Sequence, residues 1–220
     1  MFKIELKGLK EVEKMLDSRI VASAAKSALE RTKTSAKSEA VRLITQRWNI
    51  SKRNLEYKNS GSERITVSGR VTDDLTATIT FYSGGISLAY FGAKEYRMAG
   101  GSLRVINRVK SVTAGARSQK KARELVGVKV QVLKGKTATL RQFFAAVKYG
   151  KGNGVHLGVF RPDPAGGRYQ TGSRRMIESQ SPGVGTMVKH PLVMAPLKNF
   201  IYDTFGKRMT HELKRRGVLS

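Results

Sequence analysis

Hydrophobic and polar residues alternate with two different periods along this chain. Phe2, Ile4 and Leu6 alternate with charged residues, which predicts a short opening strand. A stripe with spacings of three and four then predicts one long helix, or two consecutive helices, over about residues 10–47. The stripe consists of Leu9, Val12, Leu16, Ile20, Ala24, Ala28 and Thr32, and resumes at Val41, Ile44 and Trp48. Its many alanines favour close packing against a sheet or a neighbouring subunit.

A period of two returns in the middle of the chain. Residues 65–81 alternate around an Asp-rich turn at 72–74, which predicts an antiparallel hairpin. The alternation from Val126 to Val132 predicts the clearest strand, followed by a turn at 134–136 and a second strand over 139–147. Residues 148–154 are glycine-rich, and Val155, Leu157 and Val159 predict the returning strand.

The periods together predict an α+β protein with an antiparallel sheet of about four to six strands, a long N-terminal helix and a C-terminal helix. The last helix is predicted to follow Pro196. We expect a single domain over residues 1–220 with two long arms. One is a basic excursion at about 92–124, and the other is an irregular, Pro- and Gly-rich arm at about 161–190.

The net charge of the chain indicates more about its partners than the rest of its composition does. There are 42 Lys and Arg residues against 16 Asp and Glu, a net charge of +26. Such a protein seeks anionic partners, which include nucleic acid, acidic protein surfaces and anionic membranes. No apolar run is long enough to span a bilayer and no signal peptide is recognised, so we expect a protein that is not transmembrane, and we name no membrane among its partners. The absence of cysteine excludes disulfides and thiolate chemistry.

The excess charge is concentrated between residues 94 and 123, where nine basic residues accompany only Glu95 and Glu124 follows just beyond. One interpretation is an arm that contacts phosphates or an acidic neighbour, with Tyr90, Phe91 and Tyr96 as stacking groups at its base. A solvated loop is the other interpretation. The candidate contact residues are Arg104, Arg108, Lys110, Arg117, Lys120, Lys121 and Arg123. Candidate subunit contacts in the second arm are Arg161, Tyr169, Arg174 and Arg175.

Sequence motifs for catalysis are weak. Gly135-Lys136-Thr137 lacks the earlier glycine of a phosphate-binding loop and is better interpreted as a turn between strands. The histidines at 156, 190 and 211 do not have the spacing of a metal site. Ser23 and Lys26 match a Ser-x-x-Lys pair by chance in a helix rich in both residue types. We therefore expect no enzyme, no metal and no cofactor.

Several short sequence motifs, taken in their order along the chain, resemble the bacteriophage minor tail protein Z family, whose members are also called tail completion proteins. The first are Ala24-x-x-x-Ala28-Leu29-x-Arg31-Thr32 and Arg47-x-Asn49-Ile50. They continue with Gly127-Val128-x-Val130-x-Val132, Phe143-Phe144-Ala145, Val159-Phe160-Arg161, and Ile177-Glu178 before Ser181-Pro182-Gly183-Val184. The resemblance spans most of the chain, and residues 94–123 are the part it does not cover.

The resemblance implies a non-enzymatic virion protein, assembled in the host cytoplasm, at the head-proximal end of a phage tail. It implies a homo-oligomer, a hexameric ring, that meets the tail terminator, the tail tube and neck or connector proteins, with genomic DNA passing through its lumen. A basic nucleic-acid-binding protein unrelated to tails is the alternative.

Overall fold

A computed structural model describes residues 2–4, 18–56, 58–59, 62–67, 71, 75–99, 102–106, 125–148, 155–166 and 175–219. Their contacts divide the chain into two compact units. The first comprises Met1–Gln46, Lys52–Gly84 and Gly183–Ser220, and the second comprises Arg47–Ser51 and Gly85–Pro182. The expectation of a single tail-completion-like domain stays a prediction.

The first unit contains the helices and a small sheet. Its helices are α1 (Ser18–Arg47, whose last residue belongs to the second unit), α2 (Lys52–Leu55), α3 (Val184–Lys189) and α4 (Pro191–Arg215). The strands β1 (Phe2–Ile4), β4 (Ile65–Val67) and β5 (Ala77–Phe81) form an antiparallel sheet in the order β1-β5-β4. Strands β2 (Lys58–Asn59) and β3 (Ser62–Glu63) pair separately. The predicted hairpin over residues 65–81 is confirmed by the β4–β5 pairing.

Helix α1 buries a small residue on every fourth position. Ala24, Ala28, Thr32, Ala36 and Ala40 are all buried. Because side chains four residues apart lie on one helical face, this row is a smooth surface against which other elements pack closely. The long N-terminal helix is thus confirmed from Ser18 onward, and residues 5–17 lie outside the described part of the chain.

Helix α4 begins earlier than its sequence predicts. The Nδ1 atom of His190 accepts a hydrogen bond from the backbone N–H of Leu192 at 3.2 Å, and Pro191 occupies the first helical position. Both features favour helix initiation at this point. Pro196 lies inside the helix, where it removes the donor to the carbonyl of Leu192 and its ring crowds that carbonyl. The prediction that the helix follows Pro196 is wrong, because the cap at His190 and Pro191 at the first position start the helix before Pro196.

The second unit is built almost entirely of strands. They are β6 (Ile86–Ser87), β7 (Lys94–Ala99), β8 (Ser102–Ile106), β9 (Leu125–Leu133), β10 (Lys136–Leu140), β11 (Phe143–Lys148), β12 (Val155–Pro162), β13 (Met176–Glu178) and β14 (Gln180–Ser181), with a 3₁₀ turn at Leu88–Phe91. They form antiparallel sheets with the orders β10-β9-β7-β8, β11-β12-β13 and β14-β6. The α+β class, with helices at both ends and antiparallel sheets, is confirmed.

The basic excursion contains a hairpin of β7 and β8 at its start. Two local predictions differ from the structure. The segment over 139–147 is two strands, because β10 pairs with β9 whereas β11 pairs with β12. The second arm likewise contains β13, β14 and α3. These elements are too short for a clear period, and one of them, β14, pairs with the distant strand β6.

Candidate nucleic-acid interface

Two lysines face each other across neighbouring strands of the four-stranded sheet. The register places Lys94 of β7 opposite Lys129 of β9, and both side chains are exposed. Thr139 of β10, also exposed, lies opposite Lys129 on its other side. We call these three residues, with Tyr96, the basic row. Because like charges directly opposite each other destabilise a sheet, the row gains stability when an anion approaches it.

Tyr96 gives the basic row an aromatic surface. The Lys129 ammonium lies 4.7 Å from the centroid of the Tyr96 ring, a distance at which the cation is attracted to the ring face. Tyr96 and Lys94 are two residues apart in β7 and therefore share one face of the strand. Cations beside an aromatic ring are the combination with which proteins bind phosphates and stack bases.

Glu95, which lies between Lys94 and Tyr96 in the sequence, is buried in the interior. Glu95 is 1% exposed, and its carboxylate accepts a hydrogen bond from the backbone N–H of Phe144. Strand alternation turns Glu95 toward the opposite face from Lys94 and Tyr96. The Glu95 carboxyl group is therefore buried, while the side chains of Lys94 and Lys129 are exposed to water.

The other described acids of this region also have partners within it. The Glu178 carboxylate lies 2.7 Å from His156 Nε2, and Asp163 Oδ1 accepts from the backbone N–H of Ala165 at 3.0 Å. Residues 85–182 contain 19 Lys and Arg but only four acids, of which Glu124 lies outside the described residues. In the described ranges, the acids of this region thus have intramolecular partners, whereas the basic row is exposed to external anions.

Further exposed cations lie at the β9–β10 hairpin. Lys134, Lys136 and Arg141 are all exposed. The backbone N–H of Lys134 donates to the carbonyl of Arg47 at 2.9 Å, and the Arg47 guanidinium lies 5.6 Å from the Trp48 ring centroid. The turn end of the hairpin is thus fixed by the final residue of α1 and by Trp48, which also pairs with Leu133.

The structure places one of the predicted phosphate-contact residues in a defined strand. Arg104 lies on β8, directly opposite Arg97 of β7 in the hairpin register. The remaining candidates lie outside the described residues, namely Arg108, Lys110, Arg117, Lys120, Lys121 and Arg123. Their role stays a prediction.

Two of the predicted subunit contacts meet at the base of the second arm. Arg161 of β12 pairs with Ile177 of β13, and the carbonyl of Arg175 accepts from the backbone N–H of Asp163 at 2.8 Å. The arm therefore leaves and re-enters the sheet between adjacent strands, with both arginine side chains exposed. Tyr169 and Arg174 lie outside the described part of the chain.

The other residues with candidate chemistry have structural partners. Gly135 is in the turn between β9 and β10, so interpreting Gly-Lys-Thr as a turn is confirmed. Ser23 Oγ accepts a hydrogen bond from Arg216 at 3.1 Å, and His190 caps α4. Within the described ranges, no three His, Asp or Glu side chains lie together as a metal site would require. None of the helices described there is sufficiently long and apolar to span a bilayer.

Sequence reasoning missed Lys129, the central residue of the basic row. The signal was present, because Lys129 interrupts the alternating valines Val128 and Val130 at the position that faces water. Its importance depends on its being opposite Lys94, and a periodicity within one strand does not report which strand pairs with it.

No family model, curated protein or solved structure matches this chain. The features of this chain that bear on a function are its short motifs and the charges and contacts of the basic row. That arrangement is suited to binding an extended polyanion by charge and stacking, without sequence specificity.

Proposed function

We propose that this protein is a structural virion component at the head-proximal end of a phage tail, where it joins heads to tails and contacts the DNA that passes through. The observation that carries the DNA contact is the basic row. Exposed Lys94 and Lys129 face each other in the sheet, while the neighbouring acid Glu95 is buried. Phosphate binding would relieve the repulsion between these lysines.

The tail assignment rests on the family resemblance, which also implies the assembly. We propose a homo-oligomeric ring, hexameric by analogy with a sixfold tail, whose neighbours are the tail terminator, the tail tube and the neck or connector proteins. The narrow base of the second arm, with exposed Arg161 and Arg175, suits a segment that reaches an adjacent subunit. No catalytic role is part of this proposal.

The alternative is a basic nucleic-acid-binding protein with no part in tails. The same basic row favours it, because lysines beside an aromatic ring bind nucleic acid wherever the protein is found. Negative-stain images of the purified protein separate the two functions. Rings, or particles that cap tail tubes, are expected from the tail proposal, whereas dispersed monomers that shift DNA in a gel would support the alternative.

A four-charge variant tests whether the excursion contributes to DNA contact. Changing Arg117, Lys120, Lys121 and Arg123 to Gln should weaken DNA retention and leave tail joining intact. The matched control changes four exposed lysines of α3 and α4, namely Lys189, Lys198, Lys207 and Lys214. Failure to join tails would instead indicate an acidic protein neighbour, and unchanged DNA affinity would contradict a DNA role for these four residues.

A further inference from the structure

The outer strand of the β9–β10 hairpin is unusually exposed. Strand β10 forms one edge of the four-stranded sheet, and its residues from Lys136 to Thr139 are exposed on both strand faces. Leu140 is half-buried. Among the described strands, β10 pairs only with β9, so its outer side carries backbone N–H and C=O groups available to an added strand.

Only part of this edge is protected against added strands. Proteins protect sheet edges with lysine and with bulges, and β10 has both at its start, where Lys136 precedes a register shift that ends at Ala138. The regular pairing resumes from Ala138 to Leu140, opposite Val130 to Val128. This stretch contains no charge and no proline, and its threonine favours extended backbone. A strand can therefore add along it.

The positive charges at both ends of β10 determine what kind of strand can add to its edge. Lys134 and Lys136 precede the regular stretch and Arg141 follows it, all three exposed. In the part of the chain that the structure describes, none of these side chains belongs to an ion pair. Two copies of this edge would bring six cations together, which disfavours self-pairing. A segment with alternating carboxylates would neutralise them.

We propose that the outer edge of β10 binds an extended acidic segment of a partner protein as a fifth strand of this sheet. Backbone hydrogen bonds along Ala138 and Thr139 supply the ladder, because the Leu140 carbonyl already accepts from the backbone N–H of Gln142 at 2.8 Å. The flanking cations supply the preference for acidic side chains. This interaction goes beyond the proposed DNA contact, since it uses backbone groups at the edge of the sheet, whereas the DNA contact uses side chains on the face that carries Lys94 and Lys129. Thr139 is common to both surfaces. A nucleic acid provides no backbone amides and would not extend the ladder.

The experiment uses the full-length protein, labelled with ¹⁵N, and synthetic peptides as probes. One peptide alternates Glu and Val over eight residues, a second alternates Lys and Val, and a third alternates Glu and Gly. We expect the Glu-Val peptide to slow hydrogen exchange of amides in the 137–140 segment at least tenfold. The Lys-Val peptide should have no effect, and the Glu-Gly peptide should bind more weakly because glycine disfavours strands.

Two variants complete the test. Changing Lys134, Lys136 and Arg141 to Gln should weaken binding of the Glu-Val peptide at least tenfold, whereas changing Lys198, Lys207 and Lys214 of α4 should not. Thr139→Pro should reduce exchange protection of the neighbouring amides with the fold retained, as judged by the β9 amide spectrum. Where this variant does not fold, the charge variant alone decides. No protection by the Glu-Val peptide, equal protection by the Lys-Val peptide, or equal protection by duplex DNA would overturn the proposal.

Discussion

The Nη2 atom of Arg216 donates a hydrogen bond to Ser23 Oγ, 3.1 Å away, and so connects the end of the last helix to the beginning of the first. The same guanidinium donates through Nη1 to the carboxylate of Glu212, whose side chain is 1% exposed. Arg215 donates to this carboxylate at 2.8 Å, and Arg31 of α1 lies 3.8 Å from it. A buried acid thus holds the two terminal helices together.

Glu212 makes the stability of this unit depend on pH. The hydrogen bond from Arg216 lowers the pKa of Glu212 below its usual value, although desolvation opposes the shift. A carboxyl whose pKa is lower in the folded state stabilises the protein above its ordinary pKa of 4.5, and that stabilisation is lost as the pH falls through the lower folded value.

We expect Glu212→Gln to reduce the free energy of unfolding by about 2 kcal/mol at pH 7, because charge-assisted hydrogen bonds to the carboxylate are lost. The loss is no larger because the arginines are partly exposed, so solvent already weakens their attraction to the carboxylate. The difference from wild type should shrink as the pH approaches 3. Urea denaturation at both pH values measures it. Glu39→Gln is the control, since Glu39 pairs with the exposed Arg42 and its lower pKa has the same main cause, a hydrogen bond from an arginine. An equal loss in both variants would mean that burial of Glu212 is unimportant.

Removing the two lysines of the basic row should raise the stability of the protein and lower its affinity for DNA. Changing Lys94 and Lys129 to Gln removes two cations that lie opposite each other. If each contacts one phosphate, the slope of log affinity against log salt for duplex DNA should fall by about 1.8, from ~0.9 per contact. The free energy of unfolding should rise slightly, by about 0.2–1 kcal/mol, because like-charge repulsion is removed.

The control for this double variant is Lys198→Gln with Lys207→Gln, which makes the same charge change on exposed positions of α4. Fluorescence anisotropy over a salt series reports the slope, and urea denaturation reports the stability. If both double variants lower the slope equally, DNA contact is spread over the whole surface and the basic row has no special role.

Two glycines should respond in opposite directions to alanine. A Cβ on Gly158 would lie 2.6 Å from Glu178 Oε1 and 2.8 Å from a ring carbon of Phe160, so Gly158→Ala must move the carboxylate away from His156. We expect a loss of about 1–3 kcal/mol from overpacking. Gly206 lies within α4 with no atom near its absent Cβ, so Gly206→Ala should stabilise by about 0.5–1 kcal/mol.

Thermal unfolding followed by circular dichroism distinguishes these outcomes, and the ring proton shifts of His156 report whether its carboxylate partner has moved. A Gly158→Ala variant with unchanged stability and unchanged His156 shifts would show that the β12–β13 pairing has more room than the structure indicates.

Assembly should change hydrogen exchange at the two arms. Ordering an irregular segment costs conformational entropy, which docking on a neighbouring subunit can offset. We expect amide protection within the basic arm at 94–123 and the loop at 161–188 to rise between monomer and ring, while amides of β9 change little. Mass spectrometry after proteolysis resolves the segments, and equal exchange in both states would contradict the role of these arms as subunit contacts.

The sequence alone determined the elements whose periods are long. The stripe through Ala24, Ala28 and Thr32 predicts α1, and the alternation from Val126 to Val132 predicts β9. In both cases one face of a single element is buried, so hydrophobic residues recur with the period of that element. The excess of positive charge and the lack of a complete catalytic motif can also be read from the sequence. These properties are local or are simple sums over the chain.

Only the tertiary structure decided which charges are opposed and which are buried. Lys94 and Glu95 are adjacent in sequence, yet strand alternation and the pairing with β9 expose one to water opposite Lys129 and bury the other against the backbone of Phe144. Around Glu212, Arg215 and Arg216 are sequence neighbours three and four residues away, whereas Arg31 comes from α1 and only the tertiary structure brings it there. Such relations depend on pairing between distant segments, which no period along the chain encodes.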